Sequence, residues 1–335
     1  MERKVYIFLD SSAAGGIESH VLILARSLSM HCRVEVLLWR QYQAPHPLLA
    51  QLTAAGVPCQ DMNGRLWNLV LLLARTPAAV LHCHGYKANI IGRLVTTFLS
   101  AHCVCTFHNG DVGEGLVRLY TWFDELTSPL SSNIAVSQQI AARLHKHCVQ
   151  IPNVVDTERA VYLSGESRGP VAFVGRLEQV KRPDRFCQLA DAFPQQSFAI
   201  WGHGSLFAEL QQRKMVNVSL KGGVASMQEY WATIDLLVIC SECEGMPMVA
   251  LEAMAAGVPV LTLPLGDLPR LVQHQCNGFI AADPMQLSVW LAQWYEMSTA
   301  QRLTMRQQAR LTVQQRFSTN QLWPALRQIY QAERG

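Results

Sequence analysis

Five segments of this 335-residue chain carry residue types at spacings that could do chemistry. In Ser241-Glu-Cys-Glu-Gly-Met-Pro-Met-Val-Ala-Leu-Glu252, the carboxylates Glu244 and Glu252 stand eight residues apart around a proline. In Val174-Gly-Arg-Leu-Glu-Gln-Val-Lys181, the cations Arg176 and Lys181 follow an apolar run. Gly15-Gly16-Ile-Glu18 follows another such run. His82-Cys-His84-Gly85 and Thr106-Phe-His108-Asn109 close two more.

Each pattern has a chemical reading. A helix starting near Pro247 offers unpaired N–H groups and a positive dipole end to an anion such as a diphosphate, and proline in its first turn costs no hydrogen bond. Glu252, on that helix, can accept two hydrogen bonds from a ribose diol. Glu244 sits in the turn before it, at a sheet edge. Arg176 and Lys181 would neutralise the same diphosphate, one as a bidentate fork and one as a point charge. The alternative is an exposed glutamate, a helix-capping glutamate and a solvated basic loop. The glycines let backbone amides approach a ligand closely, but the dinucleotide fingerprint Gly-x-Gly-x-x-Gly is absent. His84 and His108 fit a role at a sugar or leaving group. A zinc site would need three or four ligands with a filled second shell, and no carboxylate lies nearby in sequence, so no metal is expected there. Cys240-Ser-Glu-Cys243 has no second pair and is not read as a metal or redox motif.

The elements that must position these residues alternate. Val5–Leu9, Val34–Leu38, Val80–His82, Val104–Phe107, Ile134–Val136 and Val149–Ile151 read as strands, with helices between them. A polar stretch with glycine and proline, Ser164–Pro170, reads as a linker. The alternation then restarts with strands at Val171–Val174, Phe198–Ile200, Val218–Leu220, Leu236–Ile239 and Val258–Leu261, and with helices at Pro183–Ala192 and Pro247–Ala256. The tail from Leu287 reads as helical. The pattern predicts an α/β protein of two doubly wound domains with a cleft between them.

Taken in order, these motifs resemble retaining glycosyltransferases of family four, which have the GT-B fold. The resemblance rests on the Glu244-to-Glu252 segment running on to Val260, and on Gly15-Gly16-Ile-Glu18. It also rests on His82-Cys-His84-Gly85, Thr106-Phe-His108, Ile134-Ala-Val-Ser137, Ile151-Pro-Asn-Val-Val-Asp156, Phe173–Lys181, Gly202-His-Gly204 and Arg316-Phe-Ser318. It implies an N-terminal acceptor-binding domain over 1–165, a nucleotide-sugar-binding domain over 166–316, and a final helix over 317–335 that crosses back. It implies a catalytic set of Glu244, His108, Arg176 and Lys181. It implies donor binding by Gly16, Arg176, Lys181, Gly202, Val224, Glu244, Met248, Val249 and Glu252. Acceptor-side candidates are Glu18, His84 and Asn109. The co-substrate would be a UDP- or GDP-linked sugar, with no cofactor and no metal, since the chain has no Asp-x-Asp pair to bridge a diphosphate through a cation. Departures from the family pattern are Val154 in place of glycine, Met246 in place of an aromatic residue, and Gly266-Asp-Leu-Pro-Arg270 in place of Gly-Gly-x-Pro-Glu.

Composition narrows the rest. Lys+Arg 28 against Asp+Glu 25 gives a net charge of +3, and both signs are shared about equally between the halves, so no nucleic-acid partner is expected. The ten cysteines lack a framework of spacing and read as free thiols in a reducing compartment. Asp10 ends the first apolar run after five residues, too short for a signal peptide, and no stretch reaches membrane-span length. The expectation is a cytoplasmic chain acting on a saccharide or lipid-linked acceptor of surface-glycan assembly. Two apolar segments with Trp and Arg, Arg65–Ala74 and Leu116–Phe123, could rest on the inner face of a membrane. Rival readings are an epimerase- or phosphorylase-like relative, and a nucleotide-binding module without turnover.

Overall fold

A computed structural model describes residues 3–11, 15–42, 45–108, 115–144, 148–162 and 169–332. The chain divides into two compact units, one of 1–154 with 319–335 and one of 155–318.

The first unit holds seven parallel strands: β1 (Val5–Leu9), β2 (Val34–Leu38), β3 (Cys59–Asp61), β4 (Val80–His84), β5 (His102–Phe107), β6 (Ser132–Ala135) and β7 (Cys148–Gln150). Their order is β3-β2-β1-β4-β5-β6-β7. Helices cross between the strands, so β1, β4 and β5 are buried along their whole length. The core gathers Ile7, Leu24, Val36 and Val104 with Leu322, Leu326, Ile329 and Tyr330. Those last four lie on the C-terminal helix Leu322–Gln331, which therefore belongs to this unit. Arg3 fastens it by donating to the Tyr330 carbonyl at 2.8 Å.

The second unit holds six parallel strands: β8 (Val171–Val174), β9 (Phe198–Trp201), β10 (Val218–Gly222), β11 (Leu236–Ile239), β12 (Val260–Thr262) and β13 (Gly278–Ile280). Their order is β10-β9-β8-β11-β12-β13. Phe173, Phe186, Phe198, Phe279 and Trp294 fill its core. The Trp294 indole donates to Asp235 at 2.8 Å, and Asp235 also meets the buried guanidinium of Arg306 at 3.5 Å.

Three features differ from the pattern reading. The edge strands β3 and β13 were not anticipated. Each is three residues long, too short for alternation to register. The helical tail is three helices, Gln286–Glu296, Thr299–Arg316 and Leu322–Gln331. A capping box between Ser298 and Gln301 restarts the second of them. The units part at Val154/Val155, because the Val155 amide donates to the Phe317 carbonyl at 2.9 Å and joins its neighbours to the second unit. Most of the expected linker, 163–168, lies outside the described residues. Among the described residues no helix is long and apolar enough to cross a membrane. Among the described residues no disulfide joins the cysteines.

Candidate active site

An open parallel sheet binds ligands where its strand order reverses, outside the carboxyl ends of the strands. In the second unit that point lies between β8 and β11. The loop after β8 carries Arg176 and Lys181, and the loop after β11 carries Glu244. The structure brings two of these three together. Lys181 Nζ donates to both carboxylate oxygens of Glu244, at 2.7 and 2.8 Å, and Ser241 Oγ donates to Glu244 Oε1 at 2.6 Å. Glu244 is only 7% exposed. Its charge is therefore held by a cation and a hydroxyl, as a buried charge requires.

The scaffold behind this pair was not anticipated. Arg182 takes a left-handed conformation, φ 53°, at the N-cap of helix Pro183–Asp191. Its guanidinium forks onto Asp184 at 2.7 and 2.9 Å and reaches Glu242 at 2.6 Å. Arg185 donates to the Cys240 carbonyl at 3.0 Å, and the Glu242 amide to the Val180 carbonyl at 2.8 Å. The two loops are thus fastened to each other, and the Lys181–Glu244 geometry follows. The only trace in sequence was charge density at 181–185 and 242–244.

Around this pair the backbones approach closely. A side chain at Gly202 would place its Cβ 1.8 Å from the Gly175 carbonyl oxygen. One at Gly266 would lie 2.2 Å from the Gly245 oxygen, and the Asp267 amide bonds that same oxygen at 2.8 Å. Arg176 is exposed. It lies near Glu178, whose carboxyl is held below its usual range first by Ser205, which donates from its hydroxyl at 2.6 Å and its amide at 3.1 Å, and then by the Arg176 charge. Helix Met248–Ala255 starts one residue later than expected. Pro247 is its extended N-cap and offers no side-chain cap, so the first-turn amides of Met248 and Val249 meet no capping group. Glu252 is half-buried on the second turn. Val224 is half-buried just beyond β10.

The first unit reverses between β1 and β4. Gly16 opens helix Gly16–Ser29 there, and Glu18 in its first turn folds back over Gly15. His84 ends β4, and His108 follows β5. The two meet, His84 Nδ1 to His108 Nε2 at 3.0 Å. His20, missed in the sequence because it sits at a core position of the first helix, joins them, with ring centres 5.3 Å from His84 and 4.7 Å from His108. His82 packs 4.3 Å from His84 and is held by Tyr330 Oη and Thr106 Oγ1, both at 2.7 Å. Burial pushes His20 down to about 4 and His82 to about 3. His84 and His108 are likewise driven well below the usual value, by burial first and by the neighbouring imidazoles second. Four neutral rings result, able to donate and accept hydrogen bonds without adding charge. Asn109 lies outside the described residues.

A pair of open parallel α/β units, each with polar groups at its strand-order reversal and the last helix returned to the first unit, defines the GT-B class. The comparisons agree. Residues 14–159 match the family described as Glycosyltransferase Family 4, and residues 168–296 match that described as Glycosyl transferases group 1. The chain belongs to this glycosyltransferase family and is a transferase enzyme. It is 24% identical over 261 residues to the UDP-Gal:alpha-D-GlcNAc-diphosphoundecaprenol alpha-1,3-galactosyltransferase of Escherichia coli, covering 66% of each chain. It is 24% identical over 292 residues to the O-antigen biosynthesis glycosyltransferase WbnH of Escherichia coli, covering 83% of this chain and 86% of that one. The structure of Anabaena HepE in complex with UDP-glucose superposes with a TM-score of 0.82 at 18% identity, over 97% of this chain and 98% of that one, a likeness of fold.

Proposed function

We propose that the chain is a retaining, metal-independent glycosyltransferase. It would move a hexose-type sugar from a UDP- or GDP-sugar to a saccharide or lipid-linked acceptor in surface-glycan assembly. The observation that carries the reading is the Lys181–Glu244 pair, held at the strand-order reversal by Ser241 and the Arg182 scaffold. When the anomeric C–O bond breaks, the electron pair goes to the diphosphate. Lys181, Arg176 and the amides of Met248 and Val249 would stabilise that charge. Glu244 would contact the donor sugar, Glu252 the ribose, and Gly202 and Val224 the base. Gly16 would touch the donor phosphates. His108, backed by His84, would hydrogen-bond the sugar near the reacting carbon. The acceptor hydroxyl would attack from the same face and pass its proton to the departing phosphate. Glu18, His84 and Asn109 remain the acceptor-side candidates. The names of the two Escherichia coli relatives, one a diphosphoundecaprenol galactosyltransferase and one an O-antigen biosynthesis glycosyltransferase, support a lipid-linked, O-antigen-type acceptor.

Helix Gly115–Thr127 supports contact with a bilayer. Its described buried residues are polar, Thr121 and Asp124, and Asp124 is tied inward to Arg93 and Asn89. Its apolar residues Leu116, Leu119, Tyr120, Trp122, Phe123 and Leu126 are exposed instead. Arg118 is the outward charge, and Glu125 pairs with Arg143. An apolar, aromatic face with a net cation suits an anionic lipid interface. Segment 65–74 differs: Leu69 and Leu73 pack inward, as an ordinary helix does.

The first test is a thermal-shift panel of UDP-, GDP-, ADP- and CMP-sugars with and without EDTA. One nucleotide class should raise the melting temperature, and the shift should survive EDTA. The anomeric configuration of the product by NMR then tests retention, and an inverted product would refute it. Flotation with anionic vesicles tests the helix. Trp122→Ser with Leu126→Ser should reduce binding. Unchanged flotation, or a stable dimer that these changes dissolve, would refute the lipid reading.

A further inference from the structure

The histidines of the first unit form more than a hydrogen-bonded pair. His20, His84 and His108 each offer a ring nitrogen, and the three nitrogens lie within 4.8 Å of one another. His84 and His20 are buried, while His108 keeps some exposure. Two of the rings already bring nitrogens to 3.0 Å. Imidazoles bound at zinc–nitrogen lengths of about 2.0–2.1 Å and a tetrahedral angle hold their nitrogens about 3.3 Å apart. The separation of the pair is thus close to that of two ligands on one cation; to share it both rings must turn their lone pairs off the line that joins them, and His20 must turn towards them.

We propose that His20, His84 and His108 form a binding site for one borderline-soft divalent cation, zinc being the best match, and that its occupation inhibits transfer. Three neutral imidazoles with no carboxylate suit zinc and discriminate against magnesium and calcium, which demand oxygen ligands. The ligands come from the helix after β1, the end of β4 and the loop after β5, so ordinary side-chain rotation closes the site. His82 packs against His84 and is itself fixed by Tyr330 and Thr106, which places a rigid wall beside the ligands. The exposed side of His108 leaves a coordination position open. The inhibitory consequence rests on the proposed role of His108 at the donor sugar: a ring bound to zinc cannot turn to a sugar hydroxyl. The cation site itself does not depend on that role.

The test uses the full chain, stripped with a chelator and dialysed against zinc or cobalt(II). Metal bound per chain is measured after gel filtration. Wild type should hold one zinc, and cobalt should give the intense visible bands of a four-coordinate site without thiolate charge transfer. His108→Ala, at the least buried ligand, and His20→Asn should each weaken zinc binding by at least about tenfold. His84→Ala should do the same, with circular dichroism checking that it folds. Magnesium should not compete. The absence of zinc binding, or binding unchanged in both His108→Ala and His20→Asn, would overturn the proposal. So would loss of zinc only on Cys103→Ser, because Cys83, Cys103 and Cys105 gather on the opposite face of the same two strands. Zinc bound without any transferase activity to inhibit would refute the donor-site reading and leave the cation site standing.

Discussion

Replacing Lys181 with Met separates its two jobs. The ammonium holds Glu244 through contacts of 2.7 and 2.8 Å and, on the proposed mechanism, steadies the departing diphosphate. The structural job is the smaller. Glu244 keeps its 2.6 Å bond from Ser241, and the Lys181 side chain is 24% exposed, so solvent screens the pair. The loss lies between that of an exposed and a buried ion pair, about 1–2 kcal/mol. In a domain of this size that lowers the melting temperature by roughly 2–8 °C. The catalytic job is larger. A unit charge about 4 Å from a developing anion at an effective dielectric near 20 is worth about 4 kcal/mol, or roughly a thousandfold in rate. Transfer with the donor selected by the binding panel should therefore fall about a thousandfold in kcat/KM while the protein stays folded. Glu244→Gln should leave UDP or GDP affinity intact or tighter, because it frees the ammonium, yet still slow transfer. Lys181→Met should weaken nucleotide binding as well. A Lys181→Met enzyme within tenfold of wild type would refute the assignment. Equal loss of nucleotide binding in both variants would refute the division of labour.

Three further outcomes are expected. Gly202→Ala drives a Cβ to 1.8 Å from the Gly175 oxygen at φ +150°, so it should shift the loops after β8 and β9 and abolish the nucleotide-induced thermal shift; an unchanged shift would count against those loops bordering the donor. Asp124→Ala leaves the Arg93 guanidinium, 1% exposed, without its 2.7 Å partner, and should cost about 3–5 kcal/mol by urea titration. A loss under about 1 kcal/mol would mean that Asn133, Ser131, Thr127 and the retained backbone carbonyl of residue 124 suffice for Arg93. His20 and His82 are held neutral, at about 4 and 3, so the unfolded chain binds more protons than the folded one below about pH 6.5. In chelated buffer, stability is therefore full above pH 6.5 and falls by about 1 kcal/mol per pH unit for each ring down towards their folded values. Urea midpoints at pH 7, 6 and 5 measure the slope, His20→Asn should flatten it, and constant midpoints would contradict the burial.

How much of this was legible depended on the kind of signal each residue leaves. Val5–Leu9, Val34–Leu38, Val171–Val174 and Leu236–Ile239 form strands with the ends read from their apolar runs, because strands covered on both faces are mostly apolar, Glu35 being the exception among these four. Lys181 and Glu244 were legible as charges after such runs. Their contact was not, because Arg182 and Arg185 make it through partners about 60 residues away in sequence. Alternation along β4 and β5 explains the histidines. Cys83 faces Cys105 in register and His84 faces Thr106, so thiols collect on one side of the sheet and imidazoles on the other. That sorting is readable in His82-Cys-His84 once the two strands are known to be neighbours. His20 cannot be added from sequence, since a histidine among Val21, Leu24 and Ala25 has the periodicity of any core residue. For helix Gly115–Thr127 the apolar segment left packing on the sheet and contact with a membrane both open; the Arg93–Asp124 pair claims the inner face, and the apolar side chains stand outward. A helix oriented by a buried ion pair gives up the apolar burial that usually holds a helix to its sheet. On the reading proposed above the outward face meets a bilayer, so the vesicle experiment bears on the chain's architecture as well as its acceptor.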